Sequence, residues 1–126
     1  MNPINRDISC LEHIRNYCLQ IEDTCKRFGI EKDIFMSDPV YKNAVALCIL
    51  QIGELAGNLS EEYRKQHTEI PWSQIKAVRN IVAHSYGTVD AETLWEIIQE
   101  DIPDLKCFCD KELNNIPDGS SENEPI

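Results

Sequence analysis

Apolar residues recur at intervals of three and four along much of this sequence, and that is the repeat of one face of an α-helix. The first run of this kind comprises Leu11, Ile14, Cys18, Ile21, Cys25 and Phe28. The second run comprises Tyr41, Val45, Cys48, Ile52, Leu55 and Leu59. No segment of the sequence shows the strict alternation that is typical of a half-buried β-strand. The pattern therefore predicts an all-α protein.

Turn and capping residues divide the chain into its helices. Gly29 follows the first apolar run and suits the end of a helix, whereas Ser37-Asp38-Pro39 supplies a cap and a first-turn proline before the second run. Ser60 and Asp90 are suitable N-caps for later helices, and Pro103 is expected to break or kink the last one. The sequence thus predicts an antiparallel bundle of four main helices plus short ones.

The length of 126 residues suits a single domain. We expect this helical domain to cover residues 1–113. The remaining segment, NNIPDGSSENEPI, is polar and rich in turn-forming residues. We therefore expect residues 114–126 to form a disordered acidic tail.

The second predicted helix carries an additional apolar strip formed by Ala44, Leu47 and Leu50. A helix that is apolar on more than one side is either central or buried in both a core and an oligomer interface. Gly53 lies inside the same helix, where glycine lowers stability. We expect it to mark the close approach of another helix.

The sequence predicts a cytoplasmic protein that has no membrane association and needs no cofactor. No apolar run approaches the ~20 residues of a membrane-spanning helix, and the N-terminal residues lack the features of a secretory signal. The six cysteines are predicted to be buried reduced thiols, because Cys18 and Cys25 fall on an apolar helical face. Cys107 and Cys109 form a lone C-x-C pair without a nearby histidine, so no metal site is expected.

The charge is distributed unevenly along the chain. The net charge of −10, taken as a whole, argues against a nucleic-acid partner. Residues 1–86 contain 10 basic and 11 acidic side chains, whereas residues 87–126 contain 2 basic and 11 acidic ones. The first part is therefore almost neutral and can carry a local basic site. The acidic last third is either a solvated face or a surface that repels polyanions.

The segment Arg79-Asn80-Ile81-Val82-Ala83-His84-Ser85-Tyr86 carries the candidate site. Asn80 and His84 lie four residues apart and share one helical face. The long side chain of Arg79 can swing towards His84, and Tyr86 follows where the helix should end. The two apolar residues that come directly after Asn80 are expected to anchor the segment.

This set of residues suits a ribonuclease that works without a metal ion. No carboxylate cluster lies near the segment to hold a metal, but RNA supplies its own nucleophile in the 2′-OH. His84 can take the proton from that hydroxyl, and the Arg79 guanidinium can stabilise charge on the phosphate. Asn80 can orient His84 or donate to a phosphate. A second histidine from a symmetry mate would complete an acid–base pair, and the product would be a 2′,3′-cyclic phosphate.

A structural interpretation of the same residues stays open at this point. A histidine near a helix end is often structural or solvated, and an Arg-Asn pair can cap carbonyls or form ion pairs. His13 and His67 have no comparable neighbours in the sequence and are interpreted as structural. Glu54 interrupts an apolar helix, and it is either a buried ion-pair partner for Arg79 or a residue at a solvated edge.

Several segments, in order along the chain, resemble the HepT toxin family of the HEPN superfamily. They are LEHI at residues 11–14, GELA at 53–56, IPW at 70–72, RNIVAHSY at 79–86, Val89-Asp90 and Trp95-Glu96. The resemblance covers roughly residues 5–110 and includes the motif R-x4-H-x-Y.

This resemblance implies an α-helical homodimer in which Arg79 and His84 face a cleft at the dimer axis and form a metal-independent ribonuclease site. It also implies a partner, a minimal nucleotidyltransferase of the MNT type that acts as the antitoxin in a type VII toxin–antitoxin system. In part of the family, that partner attaches AMP to the motif tyrosine, here Tyr86. The added phosphates would place negative charge beside Arg79 and His84 and would exclude RNA.

Two functional hypotheses result. The first is an endoribonuclease toxin with Arg79, Asn80 and His84 as catalytic residues and Glu54 as a candidate supporting residue. The second is a non-catalytic module that binds a nucleotide or phosphate and pairs with a nucleotidyltransferase, and the acidic balance of residues 87–126 favours it. Ser85 stands where the family frequently has an acidic residue, which bears on antitoxin contacts but removes no proposed catalytic group.

Overall fold

A computed structural model of the protein describes residues 3–85 and 90–115. Within these ranges the chain is helical and forms no β-strand. The elements are α1 (Pro3–Phe28), α2 (Lys32–Ser37), α3 (Pro39–Asn58), α4 (Glu61–Gln66), α5 (Trp72–Ser85), α6 (Ala91–Glu96), a π-helical turn (Ile97–Asp101) and α7 (Ile102–Asn114). Helices α1, α3, α5 and α7 have 13 to 26 residues, whereas α2, α4 and α6 have 6 each. The predicted all-α bundle of four main helices plus short ones is confirmed.

The first two long helices end and begin at the residues that the sequence indicated. Gly29 has a φ of +124°, and its N–H donates to the carbonyl of Cys25 at 2.8 Å, which closes α1. The Asp38 carboxylate accepts hydrogen bonds from the backbone N–H groups of Val40 and Tyr41 at 2.9 and 3.3 Å. These bonds satisfy donors that the first turn of α3 would otherwise leave without partners.

Two later helices begin at predicted N-caps in the same way. The Ser60 hydroxyl accepts a hydrogen bond from the N–H of Tyr63 at 3.1 Å, and the Asp90 carboxylate accepts one from the N–H of Glu92 at 3.0 Å. Both cap predictions are confirmed.

The chain is not broken at Pro103, where the sequence predicted a break or a kink. Helix α6, the π-helical turn and α7 follow one another without a gap. The N–H of Ile102 bonds to the carbonyl of Ile97, five residues earlier. Pro103 then falls in the first turn of α7, where the missing N–H of a proline costs little. The chain therefore stays helical through this region.

The long helices share one apolar core, in which α3 packs between α1 and α5 while α7 packs on α1. The residues predicted to form the faces of α1 and α3 are buried in it, with Phe28 and Leu55 only partly covered. The largest fully buried side chains are Tyr41, Phe35, Ile14, Ile21, Leu59, Val45, Cys18 and Cys109. Helix α3 thus has the central position that was one of the two alternatives for a helix with two apolar strips, although Leu47 of the second strip is 57% exposed.

All six cysteines are free, and five of them are buried. Burial, together with the nearby Asp110 carboxylate, raises the pKa of Cys109 to about 12, and burial also raises the pKa of Cys18 and Cys48. These thiols confirm the predicted buried reduced cysteines. Cys107 departs from that prediction, since it lies on the solvent side of α7.

Two further expectations concern the membrane and the tail. None of the helices in the described part of the chain is long and apolar enough to cross a lipid bilayer. Residues 116–126 of the predicted acidic tail lie outside the described residues, and Asn114 is the last residue of α7.

Candidate functional site

Helix α5 carries Arg79, Asn80 and His84 in its last two turns. Val82 anchors this part of the helix, because it is only 7% exposed and belongs to the core. Asn80 and His84 are exposed. The predicted anchoring role is confirmed for Val82 but is wrong for Ile81, which is 50% exposed and lies on the outward side of α5.

The two terminal nitrogens of Arg79 contact different partners. Nη1 donates a hydrogen bond to Oδ1 of Asn80 at 2.9 Å. Nη2 forms an ion pair with the carboxylate of Glu54, which projects from α3. The Arg79 side chain is 30% exposed and the Glu54 side chain 45% exposed. The ion pair suggested by the sequence is present, and it lies at a solvated edge rather than in the interior.

Gly53 lets the Arg79 side chain lie directly against α3. A Cβ atom added at Gly53 would be 2.6 Å from Cγ of Arg79 and closer still to Cβ of Arg79. Contacts between a Cβ and another heavy atom below 3.0 Å essentially never occur in proteins. The predicted close approach of another helix at Gly53 is therefore confirmed. The Nε atom of Arg79 is buried and has no hydrogen-bond partner.

His84 lies one helical turn beyond Asn80, on the exposed side of α5. Arg79 and His84 are five positions apart, which separates them by about 140° around the helix axis. The Arg79 side chain extends across to Glu54 rather than along α5 towards His84. The structure thus brings together Arg79, Asn80 and Glu54. His84 shares the exposed face of α5 with Asn80 and takes no part in the contact between Arg79 and Glu54.

An exposed apolar strip leads along α3 towards these residues. It consists of Val40 and Leu47, which are 63% and 57% exposed. Val40, Leu47 and Glu54 follow one another at intervals of seven residues, so they lie along nearly the same line of the helix. Ile81 adds a further exposed apolar side chain on the outward side of α5, between Asn80 and His84 in the sequence.

Tyr86, the predicted site of AMP attachment, lies outside the described residues, as do residues 87–89. Helix α5 ends at Ser85. The proposed role of Tyr86 thus depends on the sequence motif alone.

A second polar cluster surrounds His67, and sequence reasoning missed it. The Tyr63 hydroxyl donates to Oε1 of Glu112 at 2.7 Å, and Nε2 of His67 lies 3.4 Å from the same oxygen. The rings of Tyr63 and His67 have centroids 4.3 Å apart, and burial together with the bond to Glu112 raises the pKa of Tyr63. This cluster joins α4 to α7 and gives His67 a structural role, as expected. The long separation of His67 and Glu112 along the chain leaves no local spacing to reveal it.

A cavity of about 170 Å³ lies between α3, α5, the π-helical turn and α7. Apolar side chains line most of it, including Ile52, Ile75 and Leu105. Neither Arg79 nor His84 contributes to its wall, so the polar residues of α5 are separate from this cavity.

Within the described ranges, no group of three or more histidine, cysteine, aspartate or glutamate side chains could hold a metal ion.

Comparisons with known proteins identify similar sequences. A family model described as ribonuclease HepT-like matches residues 11–112. A candidate RNase from Caldanaerobacter subterraneus subsp. tengcongensis is 35% identical over 96 residues, which is 76% of this chain and 84% of that protein. A protein named as a probable ribonuclease HepT from Thermococcus cleftensis is 33% identical over 96 residues, or 76% of this chain and 86% of that protein. No solved structure matches the chain.

Proposed function

This chain belongs to the ribonuclease HepT-like family, and we propose that it is a metal-independent endoribonuclease that acts as the toxin of a type VII toxin–antitoxin pair. One observation carries this proposal: the family match spans residues 11–112 and thus includes Arg79, Asn80 and His84. Asn80 and His84 are exposed on α5, and Arg79 contacts Asn80. The names of the similar proteins, which refer to RNase activity, support it.

His84 is the general base of the proposed reaction. It takes the proton of the RNA 2′-OH, and the 2′-oxygen then forms a bond to the adjacent phosphorus while the bond from phosphorus to the 5′-oxygen breaks. The 5′-oxygen leaves with a proton from a general acid. The products are a 2′,3′-cyclic phosphate and a 5′-hydroxyl. His84 is exposed at the end of α5, so a polynucleotide can reach it.

Arg79 is the proposed electrophilic group. Its guanidinium stays charged and can bind phosphate oxygens through two nitrogens at once, which stabilises the charge that develops during the attack. Asn80 holds Nη1 at 2.9 Å and shares a helical face with His84. It therefore connects the cation to the base.

A second copy of the chain is the proposed source of the general acid. A symmetric dimer brings two copies of His84 to one cleft, one to accept a proton and one to donate it. The exposed apolar strip of α3 and the exposed Ile81 of α5 are suitable for burial between the two copies, because apolar surface favours removal from water.

The proposed partner is a minimal nucleotidyltransferase of the MNT type that attaches AMP to Tyr86. Tyr86 follows His84 by two residues, so the added phosphates would compete with RNA for Arg79. After incubation with this partner and ATP, mass spectrometry should locate an added AMP at Tyr86. A mass increase elsewhere, or none, would reject the switch but not the nuclease.

Cleavage of an end-labelled RNA by the purified protein in the presence of EDTA tests the central proposal. We expect products that end in a 2′,3′-cyclic phosphate, and a loss of cleavage of about 10²–10⁴-fold in His84→Ala, because that is the usual contribution of a general base. The matched control is His13→Ala, which changes an exposed histidine of α1 and should cleave like the wild type. Full activity of His84→Ala would discard the assignment.

The alternative function is a non-catalytic module that binds a nucleotide or phosphate and pairs with the nucleotidyltransferase. The acidic balance of residues 87–126, which contain 2 basic and 11 acidic side chains, favours it, because an acidic segment attracts a basic partner surface. The same cleavage assay separates the two functions. Intact RNA together with stoichiometric binding of the nucleotidyltransferase would support the alternative.

A further inference from the structure

The position of the Arg79 cation depends on two neighbouring residues of α3. Gly53 provides the space into which Cβ and Cγ of Arg79 fit, and Glu54 pairs with Nη2 at the far end of the same side chain. The near end of the side chain is therefore confined by shape, and the far end is held by charge.

The guanidinium has little freedom in this arrangement. Nη1 is held by Asn80, Nη2 is held by Glu54, and Nε is buried without a hydrogen-bond partner. A buried donor without a partner, such as this Nε, is unfavourable. Packing against α3 nevertheless fixes the direction of the Arg79 side chain, so only its terminal nitrogens can reach a ligand from solvent.

We propose that Gly53 and Glu54 are positioning residues for the ribonuclease reaction, because together they orient the terminal nitrogens of Arg79 for the scissile phosphate. This inference rests on the proposed function and adds two positioning residues to it. Arg79 contacts the phosphate, whereas Gly53 and Glu54 act only through Arg79.

A positioning role has a distinct kinetic consequence. An arginine released from α3 still carries its charge and still attracts RNA, so the affinity for substrate should change little. Stabilisation of the transition state needs the cation in place, and a displacement of about 1 Å can cost about 10²-fold in rate. The loss should therefore appear in kcat rather than in KM.

The chain provides a matched pair of glycines for the test. Gly53 and Gly57 lie in the same helix, and a Cβ at Gly57 would have nothing within 4 Å. Gly53→Ala should lower kcat by about 10²-fold with KM within about twofold of the wild type. Gly57→Ala should cleave at the wild-type rate and should melt at the same or a higher temperature, since alanine favours the helix.

A second variant keeps the test decisive if Gly53→Ala does not fold. Glu54→Gln has the same shape and retains an acceptor for Nη2 but loses the charge. It should lower kcat by about tenfold with unchanged KM and melting temperature, and Glu54→Ala should lose more. Circular dichroism and sedimentation velocity should verify the fold and the mass of every variant.

The outcomes also separate this inference from the proposed function. If the wild type cleaves RNA and Arg79→Ala does not, but Gly53→Ala and Glu54→Gln both retain wild-type kcat, the positioning role is wrong and the ribonuclease stands. If the variants change KM alone, Glu54 and Gly53 affect binding and the positioning role is again wrong. If the wild type does not cleave RNA, the proposed function fails first.

Discussion

Asp7 is the one charged side chain that is buried within the described residues, at 6% exposure. Its Oδ1 accepts a hydrogen bond from the N–H of Ser60 at 2.7 Å, and its Oδ2 accepts one from the Ser60 hydroxyl at 2.8 Å. The same hydroxyl oxygen caps α4 by accepting from the N–H of Tyr63. A single carboxylate thus joins α1 to the start of α4.

Replacing Asp7 should destabilise the fold more than an average surface substitution. Asp7→Ala removes the acceptor for two donors, and hydrogen bonds to charged groups contribute about 1.5–3 kcal/mol each. We expect the free energy of unfolding to fall by about 2–4 kcal/mol in urea titrations followed by circular dichroism, which is less than the sum of the two bonds because Ser60 is only partly buried and water can replace part of the bonding. Asp33→Ala, which changes an exposed aspartate in the first turn of α2, should cost less than about 1 kcal/mol. Equal stability of the two variants would contradict the role of Asp7.

The helical faces on which the candidate site residues lie could be predicted from the sequence, but the directions of their side chains could not. The i, i+4 spacing placed Asn80 and His84 on one face, and the interior position of Gly53 indicated a close approach. The direction of Arg79 depends on which residue of α3 faces it, and no local spacing encodes that long-range contact. The sequence therefore left the ion pair with Arg79 as one of two alternatives for Glu54, and the structure shows that this ion pair forms.

The start of a helix could be predicted from the sequence where a capping residue next to it in the chain marks that start. Helices α3, α4 and α6 begin at Asp38, Ser60 and Asp90, whose side chains accept from backbone N–H groups. These caps are visible in the sequence because short polar side chains favour this position.

Helix α2 and the π-helical turn lack such signals, and sequence reasoning missed both. The N-cap of α2 is Glu31, whose side chain makes no capping bond. Tertiary packing holds the helix instead, because Phe35 is fully buried and its ring lies 4.9 Å from that of Tyr41 and 5.4 Å from that of Trp95. The π-helical turn arises from a shift of hydrogen-bond partner before Pro103, which residue preferences do not encode.

The charge is distributed unevenly along the chain, and the candidate site belongs to the nearly neutral part. Arg79 belongs to the nearly neutral residues 1–86, whereas residues 87–126 contain 2 basic and 11 acidic side chains. RNA should be repelled from the second part and attracted only near the cation. A basic partner surface would be attracted to the acidic part instead.

The exposed apolar strip of α3 predicts how the whole assembly forms. Leu47→Glu places a charge on this strip, where a twofold interface would bury both copies, and should convert a dimer into a monomer in sedimentation velocity. Burial of a leucine contributes about 1.5–3 kcal/mol, so losing two should weaken dimerisation by at least about 10²-fold. Under the proposed mechanism cleavage should disappear with the dimer, because the general base and the general acid would come from the two copies of His84. Ile30→Glu is the matched control, since Ile30 is 62% exposed but lies between α1 and α2, and it should stay dimeric and active. A monomeric Leu47→Glu that cleaves RNA at the wild-type rate would show that one chain suffices, and the paired-histidine mechanism would have to be abandoned.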